Sequence, residues 1–201
     1  MELKKVLIAT GNKGKLIEFQ RYFNNYNIEC VSLEDKNIAE PEENGNSFKE
    51  NSYVKAKYYC EATKLPALAD DSGLSIDQLD GMPGIYSARW AGKDKDFAKA
   101  IEIIKLKLKE NNKPLNNLTG AFHCALCLVA PNQKPQYFLG SISGKITFPP
   151  RGDKGFGYDP IFIPTGDTRT FGEMSFEEKQ IYAHRAKALE KLQLYLNLLR
   201  K

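Results

Sequence analysis

The feature of this sequence that most limits its possible folds is an apolar run that ends at two adjacent acids. Leu65 to Ala69 is short and apolar, and it is followed directly by Asp70, Asp71, Ser72 and Gly73. Such a run is typical of a buried strand that carries the acids at its carboxyl end. Because open α/β sheets bind ligands at that end of their strands, we expect a ligand site there. The alternative is an ordinary strand-to-turn junction, where Asp, Ser and Gly are common.

The two acids also indicate the chemistry of such a site. Neighbouring carboxylates repel each other unless positive charge lies between them and a substrate. A hard cation such as Mg²⁺ together with a phosphate ester would supply that charge. Because side chains alternate along a strand, one acid can face the site while the other contacts a neighbouring loop.

The composition is that of a globular protein without a strong charge bias. Of 201 residues, 42% are hydrophobic and 27% are charged, which predicts a single domain, with or without two lobes. The 29 basic and 25 acidic residues give a net charge of +4, too small to predict a nucleic-acid partner. Met1 to Ala9 is too short for a signal peptide, and no apolar run approaches membrane-spanning length. We therefore expect a cytoplasmic protein with no membrane partner.

The four cysteines do not indicate a metal or redox site. Cys124 and Cys127 form a C-x-x-C, but they lie in the apolar run Phe122 to Ala130, and no second pair completes a zinc site. We therefore expect these two to pack in the core, and Cys30 and Cys60 to be lone buried thiols.

A strand, a glycine-containing loop and a helix open the chain. Lys4 to Ala9 is the predicted strand, and a helix is predicted from about Lys15 because apolar residues then recur at helical spacing. In this arrangement backbone N–H groups and the helix N-terminus receive phosphate. The loop lacks the spacing of a Walker motif, so a helix start on a basic surface is the alternative. The candidate phosphate-binding residues are Thr10, Gly11, Asn12, Lys13, Gly14 and Lys15.

An acidic stretch, Glu34 to Asn46, follows a second predicted strand, Ile28 to Leu33. Such a charge run is usually a solvated loop. It would add a metal ligand only by folding over Asp70 and Asp71.

A second helix is predicted over Phe48 to Thr63. Ser47 and Glu50 have the S-x-x-E spacing of a capping box. Asn51 and Lys55, four residues apart, share one face of this helix. They would point together toward a phosphate, or would simply be exposed.

Three glycines surround two aromatic residues in the segment RGDKGFGYDPIFIP. Gly152, Gly155 and Gly157 allow the backbone to approach a ligand closely, while Phe156 and Tyr158 offer an aromatic face to a base. The alternative is a β-bulge packed by aromatic side chains. The other elements predicted in this half are strands at Leu74–Ile76, Phe122–Ala130, Gln136–Ser143 and Ile161–Ile163, and a helix at Phe97–Leu108.

Basic residues gather near the carboxyl end of the chain. Ser175 and Glu178 form a predicted capping box for a short helix that carries Lys179. His184 and Arg185 stand at the start of a final amphipathic helix, where they would bind an anion or hydrogen-bond a ligand. A lone histidine is more often structural.

Taken together, these motifs occur in the order of a known family. The segments ATGNKGK, EENG with SFKENSYVKAK, LADDSGL, PGIYSARWAG, GFGYDPIF and EEK followed by HRAKAL resemble the inosine triphosphate pyrophosphatase family. This family comprises pyrophosphatases of non-canonical purine nucleoside triphosphates. The resemblance runs from Ala9 to Leu189, and six motifs in order at compatible spacing are too many for chance.

The resemblance implies a fold, a reaction and a partner. The implied fold is an elongated α/β structure of two lobes around a long central mixed sheet flanked by helices, with the active site in the cleft between the lobes. Residues 1–201 would form this single domain. The implied reaction is Mg²⁺-dependent hydrolysis of ITP, dITP and XTP to the monophosphate and pyrophosphate, which removes them from the nucleotide pool. Family members are usually homodimers.

The resemblance also implies a role for each matching residue. Asp71 would accept a proton and, with Glu42, would bind the metal. Ser72 would contact the substrate, and the phosphates would be bound by Thr10 to Lys15 and by Lys55. The residues that would enclose and read the base are Phe156, Gly157, Tyr158, Asp159, Lys179, His184 and Arg185.

One position departs from the family pattern, because Ala183 stands where family members commonly have Ser before the His-Arg pair. Two other functions are open. A related pyrophosphatase of the septum-inhibitor type would act on modified pyrimidine nucleotides, but the terminal Lys, His and Arg set and GFGYDP argue against it. A nucleotide-sensing or RNA-binding module would lack catalysis, but the retained acids and the mild charge argue against it.

Overall fold

The computed structural model describes residues 3–33 and 38–199, so residues 34–37 of the predicted acidic stretch lie outside the described residues. Strands and helices alternate along the chain as far as β3, as in α/β proteins. The strands are β1 (Lys5–Ala9), β2 (Glu29–Val31), β3 (Ala67–Ile76), β4 (Leu118–Val129), β5 (Gln136–Ile146) and β6 (Phe162–Pro164). The helices are α1 (Lys13–Asn24), α2 (Phe48–Thr63), α3 (Ser87–Trp90), α4 (Phe97–Glu110), α5 (Phe176–Tyr182) and α6 (His184–Leu199). Within the described ranges, no helix has the length and apolarity needed to cross a membrane.

The six strands of the described residues form one sheet in the order β2-β1-β3-β4-β5-β6. β1 is parallel to β2 and to β3, whereas β5 is antiparallel to β6. In the β1–β3 register, Leu7 lies opposite Ala67 and Ala9 lies opposite Ala69. The predicted α/β class with a mixed sheet is therefore confirmed.

The predicted strand that ends at the two acids is longer than its apolar pattern indicates. Pairing with β1 stops at Ala69, but β3 also has β4 as a hydrogen-bonded neighbour and stays extended to Ile76. The prediction that Asp70 and Asp71 end the strand is wrong for this reason. They lie within β3, immediately beyond its ladder with β1.

Side-chain caps explain where two of the helices begin. Asn12 Oδ1 accepts a hydrogen bond from Lys15 N (3.2 Å), and α1 therefore starts two residues before its predicted start. At α5, Ser175 Oγ accepts from Glu178 N (3.2 Å) and Glu178 Oε2 accepts from Ser175 N (2.8 Å). The predicted capping box of α5 is confirmed.

The cap of α2 is confirmed only in part. Ser47 Oγ accepts from Glu50 N (3.1 Å), and the helix begins and ends at the predicted residues. Glu50 Oε2, however, accepts from Asn46 N (2.7 Å), one residue before the position that a capping box requires. The carboxylate therefore ties the preceding loop to the helix.

The chain divides into two compact units. The first contains the residues up to Asp71, Ala125–Leu139 and the residues from Ala188 onwards; the second contains Ser72–Cys124 and Gly140–Lys187. The buried residues that form a core of the first unit are Leu7, Ala9, Ala56, Tyr59, Cys60, Ala67, Ala69 and Cys127.

Aromatic rings dominate the centre of the second unit. The ring of Phe122 lies 4.7 Å from that of Phe162, and Phe162 lies 5.2 Å from Phe171. Helix α4 covers this core through its predicted apolar face, which includes Ile101, Ile104 and Leu108.

All four cysteines are free thiols, and three of them are buried as predicted: Cys60, Cys124 and Cys127. Cys30 is only partly buried, because β2 is an edge strand of the sheet. The prediction of a buried thiol is wrong at this position.

Helix α4 offers a matched test of the core. We predict that Ile104→Ala lowers the free energy of unfolding by about 2 to 5 kcal/mol, because Ile104 is fully buried and its removal leaves a cavity. Leu106→Ala is the control, since Leu106 on the same helix is 57% exposed. Chemical denaturation of both variants measures the difference, and equal losses would contradict the assigned core face.

Candidate active site

The two acids of β3 bind lysines from two different helices of the first unit. Asp70 Oδ1 forms an ion pair with Lys15 Nζ of α1. Asp71 Oδ1 lies 3.6 Å from Lys55 Nζ of α2. This arrangement follows from the strand geometry, because successive side chains point to opposite faces.

A third acid completes this group. Glu43 Oε1 lies 2.6 Å from Lys55 Nζ, closer than Asp71 does. We refer to Lys15, Glu43, Lys55, Asp70 and Asp71 as the carboxylate–lysine cluster. It contains three carboxylates and two ammonium groups, so the ligand-free cluster has an excess of negative charge.

Burial and charge act in opposite directions on the central pair of the cluster. Burial raises the pKa of the Asp71 carboxyl, and the ammonium of Lys55 opposes this shift without cancelling it. For Lys55, burial lowers the pKa, but the carboxylates of Asp71 and Glu43 raise it by more. The ion pair thus keeps Lys55 charged while Asp71 is a stronger proton acceptor than an exposed aspartate.

Helix α2 holds the acidic loop that carries Glu43. Asn51 Oδ1 accepts a hydrogen bond from Gly45 N (2.8 Å), and Glu50 binds the next residue, Asn46. On the same loop, Glu40 lies against the candidate phosphate loop, since a methyl group at Gly11 would lie 2.6 Å from Glu40 Oε1. Within the described part of the acidic stretch, Glu40 therefore lies beside the candidate phosphate loop and Glu43 beside Lys55.

Asn51 and Asp71 each leave one polar atom without a partner. Asn51 is fully buried and Asp71 is 7% exposed. Among the described residues, neither Asn51 Nδ2 nor Asp71 Oδ2 has a hydrogen-bond partner. The Asn51 amide is nevertheless close enough to Asp71 to lower the pKa of its carboxyl.

The cluster is compatible with Mg²⁺ but does not enclose it. Within residues 3–33 and 38–199, no group of three or more His, Cys, Asp or Glu side chains is arranged as a metal site. Mg²⁺ is commonly bound by only one or two carboxylates together with substrate phosphates. Asp71 fits this requirement, because Oδ1 lies as far as 3.6 Å from Lys55 Nζ and Oδ2 has no hydrogen-bond partner among the described residues. Glu42, the other predicted ligand, is exposed and accepts a hydrogen bond from Asn44 (3.3 Å).

The candidate phosphate loop, Thr10 to Lys15, leads into α1. Asn12 N donates to Thr10 Oγ1 (3.2 Å), while the Asn12 side chain caps the helix. Lys15 reaches Asp70, whereas Lys13 is exposed. The loop and the acids therefore meet where the pairing between β1 and β3 ends.

A second group of predicted residues lies in the second unit. Asp159 Oδ2 accepts hydrogen bonds from Lys179 Nζ (2.6 Å) and from Phe156 N (2.8 Å). Lys179 Nζ is 4.8 Å from the centre of the Phe156 ring. We refer to Phe156, Asp159, Lys179 and Arg185 as the aromatic–cation cluster.

Arg185 contacts both Ser72 and the Phe156 ring of this cluster. Its Nη2 donates to Ser72 Oγ (3.0 Å), and its guanidinium carbon lies 5.9 Å from the centre of the Phe156 ring. The neighbouring His184 is buried, with its ring stacked on Phe122 at 4.9 Å. Arg185 therefore faces Phe156, while His184 packs into the aromatic core.

Tyr158 supports the glycine loop from the inside of the second unit. Its hydroxyl donates to the Ser87 carbonyl oxygen (2.9 Å), and its ring packs edge-on against Phe97 at 5.2 Å. Ser87 Oγ in turn accepts from Leu74 N (3.0 Å) on β3. The Tyr158 ring is buried, whereas Phe156, the other aromatic residue of the glycine loop, is partly exposed.

Two contacts of the predicted site residues were not themselves predicted from the sequence. Glu43 stands beside Glu42 in EENG, and no local pattern separates the acid that binds Lys55 from its neighbour. Ser87 lies in the loop PGIYSARWAG, whose composition indicated an ordered segment without indicating which side chain anchors it. Asn51 shares a helix with Lys55 as predicted, but its burial depends on how the acidic loop folds.

The comparisons with known proteins agree with this fold and these motifs. A sequence profile of the Ham1 family matches residues 6–195. A relative from Rhodopseudomonas palustris, named dITP/XTP pyrophosphatase, is 46% identical over 196 residues, which cover 94% of this chain and 93% of the relative. A HAM1 protein from Coxiella burnetii has a solved structure with a TM-score of 0.87, 35% identity and coverage of 98% of this chain and 99% of that one. The Staphylococcus aureus Ham1 structure has a TM-score of 0.83, 34% identity and coverage of 96% and 98%.

The open mixed sheet, with a carboxylate–lysine cluster at its parallel strands, makes this protein a member of the α/β class. Within that class, the chain belongs to the Ham1 family.

The buried ion pair of the aromatic–cation cluster generates a stability prediction. We predict that Lys179→Met lowers the free energy of unfolding by about 3 to 5 kcal/mol, because it leaves Asp159 buried without its counter-charge. Lys105→Met is the control, since Lys105 binds the exposed Glu102 (2.7 Å) and such surface pairs contribute about 0 to 1 kcal/mol. Urea denaturation near neutral pH compares the two variants, and a small loss for Lys179→Met would argue against the ion pair.

Proposed function

We propose that the protein hydrolyses non-canonical purine nucleoside triphosphates, namely ITP, dITP and XTP, to the monophosphate and pyrophosphate. The single observation that carries this proposal is the buried carboxylate of Asp71, whose Oδ1 lies 3.6 Å from Lys55 Nζ. Support also comes from relatives over 40% identical that are named dITP/XTP pyrophosphatases. Such an enzyme would remove damaged nucleotides from the cellular pool.

In this proposal the carboxylate–lysine cluster binds the triphosphate. The Thr10 to Lys15 loop would hold phosphate oxygens through backbone N–H groups at the start of α1. Lys15 and Lys55 would exchange their carboxylate partners for phosphate oxygens and would neutralise charge that develops as pyrophosphate leaves. Asp71 would accept the proton of the attacking water, a role that the family resemblance implies.

We further propose that Mg²⁺ is the working cofactor, held by Glu42 and Asp71. Asp71 offers open lone pairs, as described above, and the assignment of Glu42 rests on the family resemblance. When bound, Mg²⁺ supplies positive charge to the phosphate oxygens and polarises a bound water. The same resemblance supports a cytoplasmic homodimer, for which sedimentation analysis is the direct measurement.

The aromatic–cation cluster would select the base. A purine stacked on Phe156 would present its edge to the N–H donors of Arg185 and Lys179. Inosine and xanthosine have a 6-oxo acceptor, which these donors can bind, whereas adenine has a 6-amino donor. A site built from donors rejects a substrate that leaves them unpaired.

The first test is pyrophosphate release from ITP, dITP and XTP beside ATP, GTP and dTTP, with Mg²⁺ and after chelation. We expect a strong preference for the first three and a loss of release on chelation.

Asp71→Asn should lower kcat by about 10³-fold or more, because the amide cannot accept the proton. Asp80→Asn is the control, since Asp80 is exposed and belongs to the second unit. A pyrimidine preference would favour the septum-inhibitor type, and binding without release would favour a sensor.

Base selection is tested separately with Arg185→Ala. We expect the ratio of kcat/KM for ITP over ATP to fall by about tenfold or more, because a donor to the 6-oxo group is lost. Lys187→Ala is the control, since Lys187 lies on the same helix and contacts the Ser141 carbonyl oxygen instead (3.1 Å). An unchanged ratio in Arg185→Ala would exclude Arg185 from base reading.

A further inference from the structure

Ser87 is a buried residue for which the proposed reaction gives no role. It lies at the start of α3 and is 5% exposed. Its Oγ accepts a hydrogen bond from Leu74 N (3.0 Å) of β3 and donates to the Gly84 carbonyl oxygen (2.6 Å). The β3 backbone comes so close that a methyl group at Gly73 would lie 2.5 Å from the Gly84 carbonyl oxygen. Ser87 is therefore held directly against β3.

The carbonyl group of Ser87 continues this connection to the glycine loop. It accepts a hydrogen bond from the Tyr158 hydroxyl (2.9 Å), and the Tyr158 ring is buried edge-on against Phe97. Burial raises the pKa of this hydroxyl, so it stays protonated and remains a donor at neutral pH. A series of hydrogen bonds thus links β3 through Ser87 to Tyr158.

The glycine loop needs an anchor of this kind. Gly155 and Gly157, on either side of Phe156, have positive φ angles of 77° and 71°. Glycine loses more backbone freedom on ordering than any other residue, so this segment is costly to hold in one conformation. The hydrogen bond from Tyr158 to Ser87 fixes the loop directly after the second glycine.

Both parts of the proposed base site are attached to the same strand. Arg185 Nη2 donates to Ser72 Oγ (3.0 Å), and Ser72 belongs to β3. Phe156 is attached to β3 two residues further along, through Tyr158 and Ser87. The guanidinium carbon lies 5.9 Å from the centre of the Phe156 ring. This distance therefore depends on contacts at two nearby positions of one strand.

We propose that Ser87 is a positioning residue for base selection, because it fixes the glycine loop to β3 and so sets where Phe156 stands relative to Arg185. This inference rests on the hydrolysis and the base selection proposed above. Ser87 and the Tyr158 hydroxyl act through the ring on which the base stacks, not by touching the base. For Tyr158, this is an alternative to the direct base contact that the family resemblance implies.

The expected consequence is a loss of base binding without a loss of chemistry. A purine stacked on a displaced Phe156 ring would no longer direct its 6-oxo group at Arg185, which weakens binding and discrimination. The phosphates would still be bound by the carboxylate–lysine cluster, so the rate of hydrolysis at saturation would be retained.

Two variants interrupt the connection at different points. Tyr158→Phe removes the hydroxyl and keeps the buried ring, while Ser87→Ala removes the acceptor of Leu74 N. Tyr22→Phe is the matched control, since its hydroxyl also donates to a backbone carbonyl oxygen (Leu189, 3.0 Å) but lies in the first unit. Circular dichroism and urea denaturation verify that each variant is folded.

The experiment measures kcat and KM for ITP and for ATP with Mg²⁺. We expect Tyr158→Phe and Ser87→Ala each to raise KM for ITP by about fivefold, as the loss of one positioned hydrogen bond does, and to lower the ITP-over-ATP ratio of kcat/KM by about threefold or more. The kcat for ITP should stay within about twofold of wild type. A merely structural role would lower the fraction of active enzyme, and so would reduce kcat without changing KM.

The double variant tests whether the two residues act as one connection. Its KM for ITP should be no higher than that of the more affected single variant, because the first change already releases the loop. Tyr22→Phe should retain the wild-type kcat, KM and substrate ratio.

Four outcomes would overturn the inference: unchanged KM and substrate ratio in the folded variants, a fall in kcat without a change in KM, additive effects in the double variant, or an effect of Tyr158→Phe without one of Ser87→Ala. The last would assign the Tyr158 hydroxyl to the base itself. A wild-type protein that does not hydrolyse ITP would instead overturn the proposed function, which keeps the two failures distinguishable.

Discussion

An ionised carboxylate inside a protein needs a counter-charge, and this requirement organises the first unit around β3. Removing a charge from water is costly unless an opposite charge and hydrogen bonds replace the solvent. For Asp70 and Asp71 this counter-charge comes from lysines of α1 and α2, respectively. Both helices are therefore tied to the same strand by charge as well as by apolar packing. The ion pairs that allow Asp70 and Asp71 to be buried therefore also fix the positions of Lys15 and Lys55.

In the second unit, a buried carboxylate has both a lysine and a backbone N–H as partners. Asp159 is buried with Lys179, and it also accepts the backbone N–H of Phe156. One carboxylate thus fixes both a cation and the loop that presents an aromatic ring. Preorganised groups of this kind lose little freedom when a ligand binds, as the base selection proposed above would require.

The parts of the fold that were predicted correctly depend on short stretches of sequence. The cap at Ser47 and the capping box at Ser175 involve residues three positions apart, and their helices begin where predicted. The errors arose where a distant strand changed the outcome. β3 passes through its acids because β4 continues the pairing that β1 ends, and Cys30 is partly exposed because β2 has a neighbour on one side only.

By itself, the sequence determined the α/β class, the helix starts after Ser47 and Ser175 and the residue types available for chemistry, because these depend on neighbours within about one helical turn. Only the tertiary structure decided which residues meet. Asp70 binds a lysine 55 positions away and Arg185 reaches Ser72 across 113 positions. It also selected Glu43 over Glu42 as the partner of Lys55 and buried the Tyr158 ring. Local propensity carries no information about such contacts, because they form only when the sheet brings distant segments together.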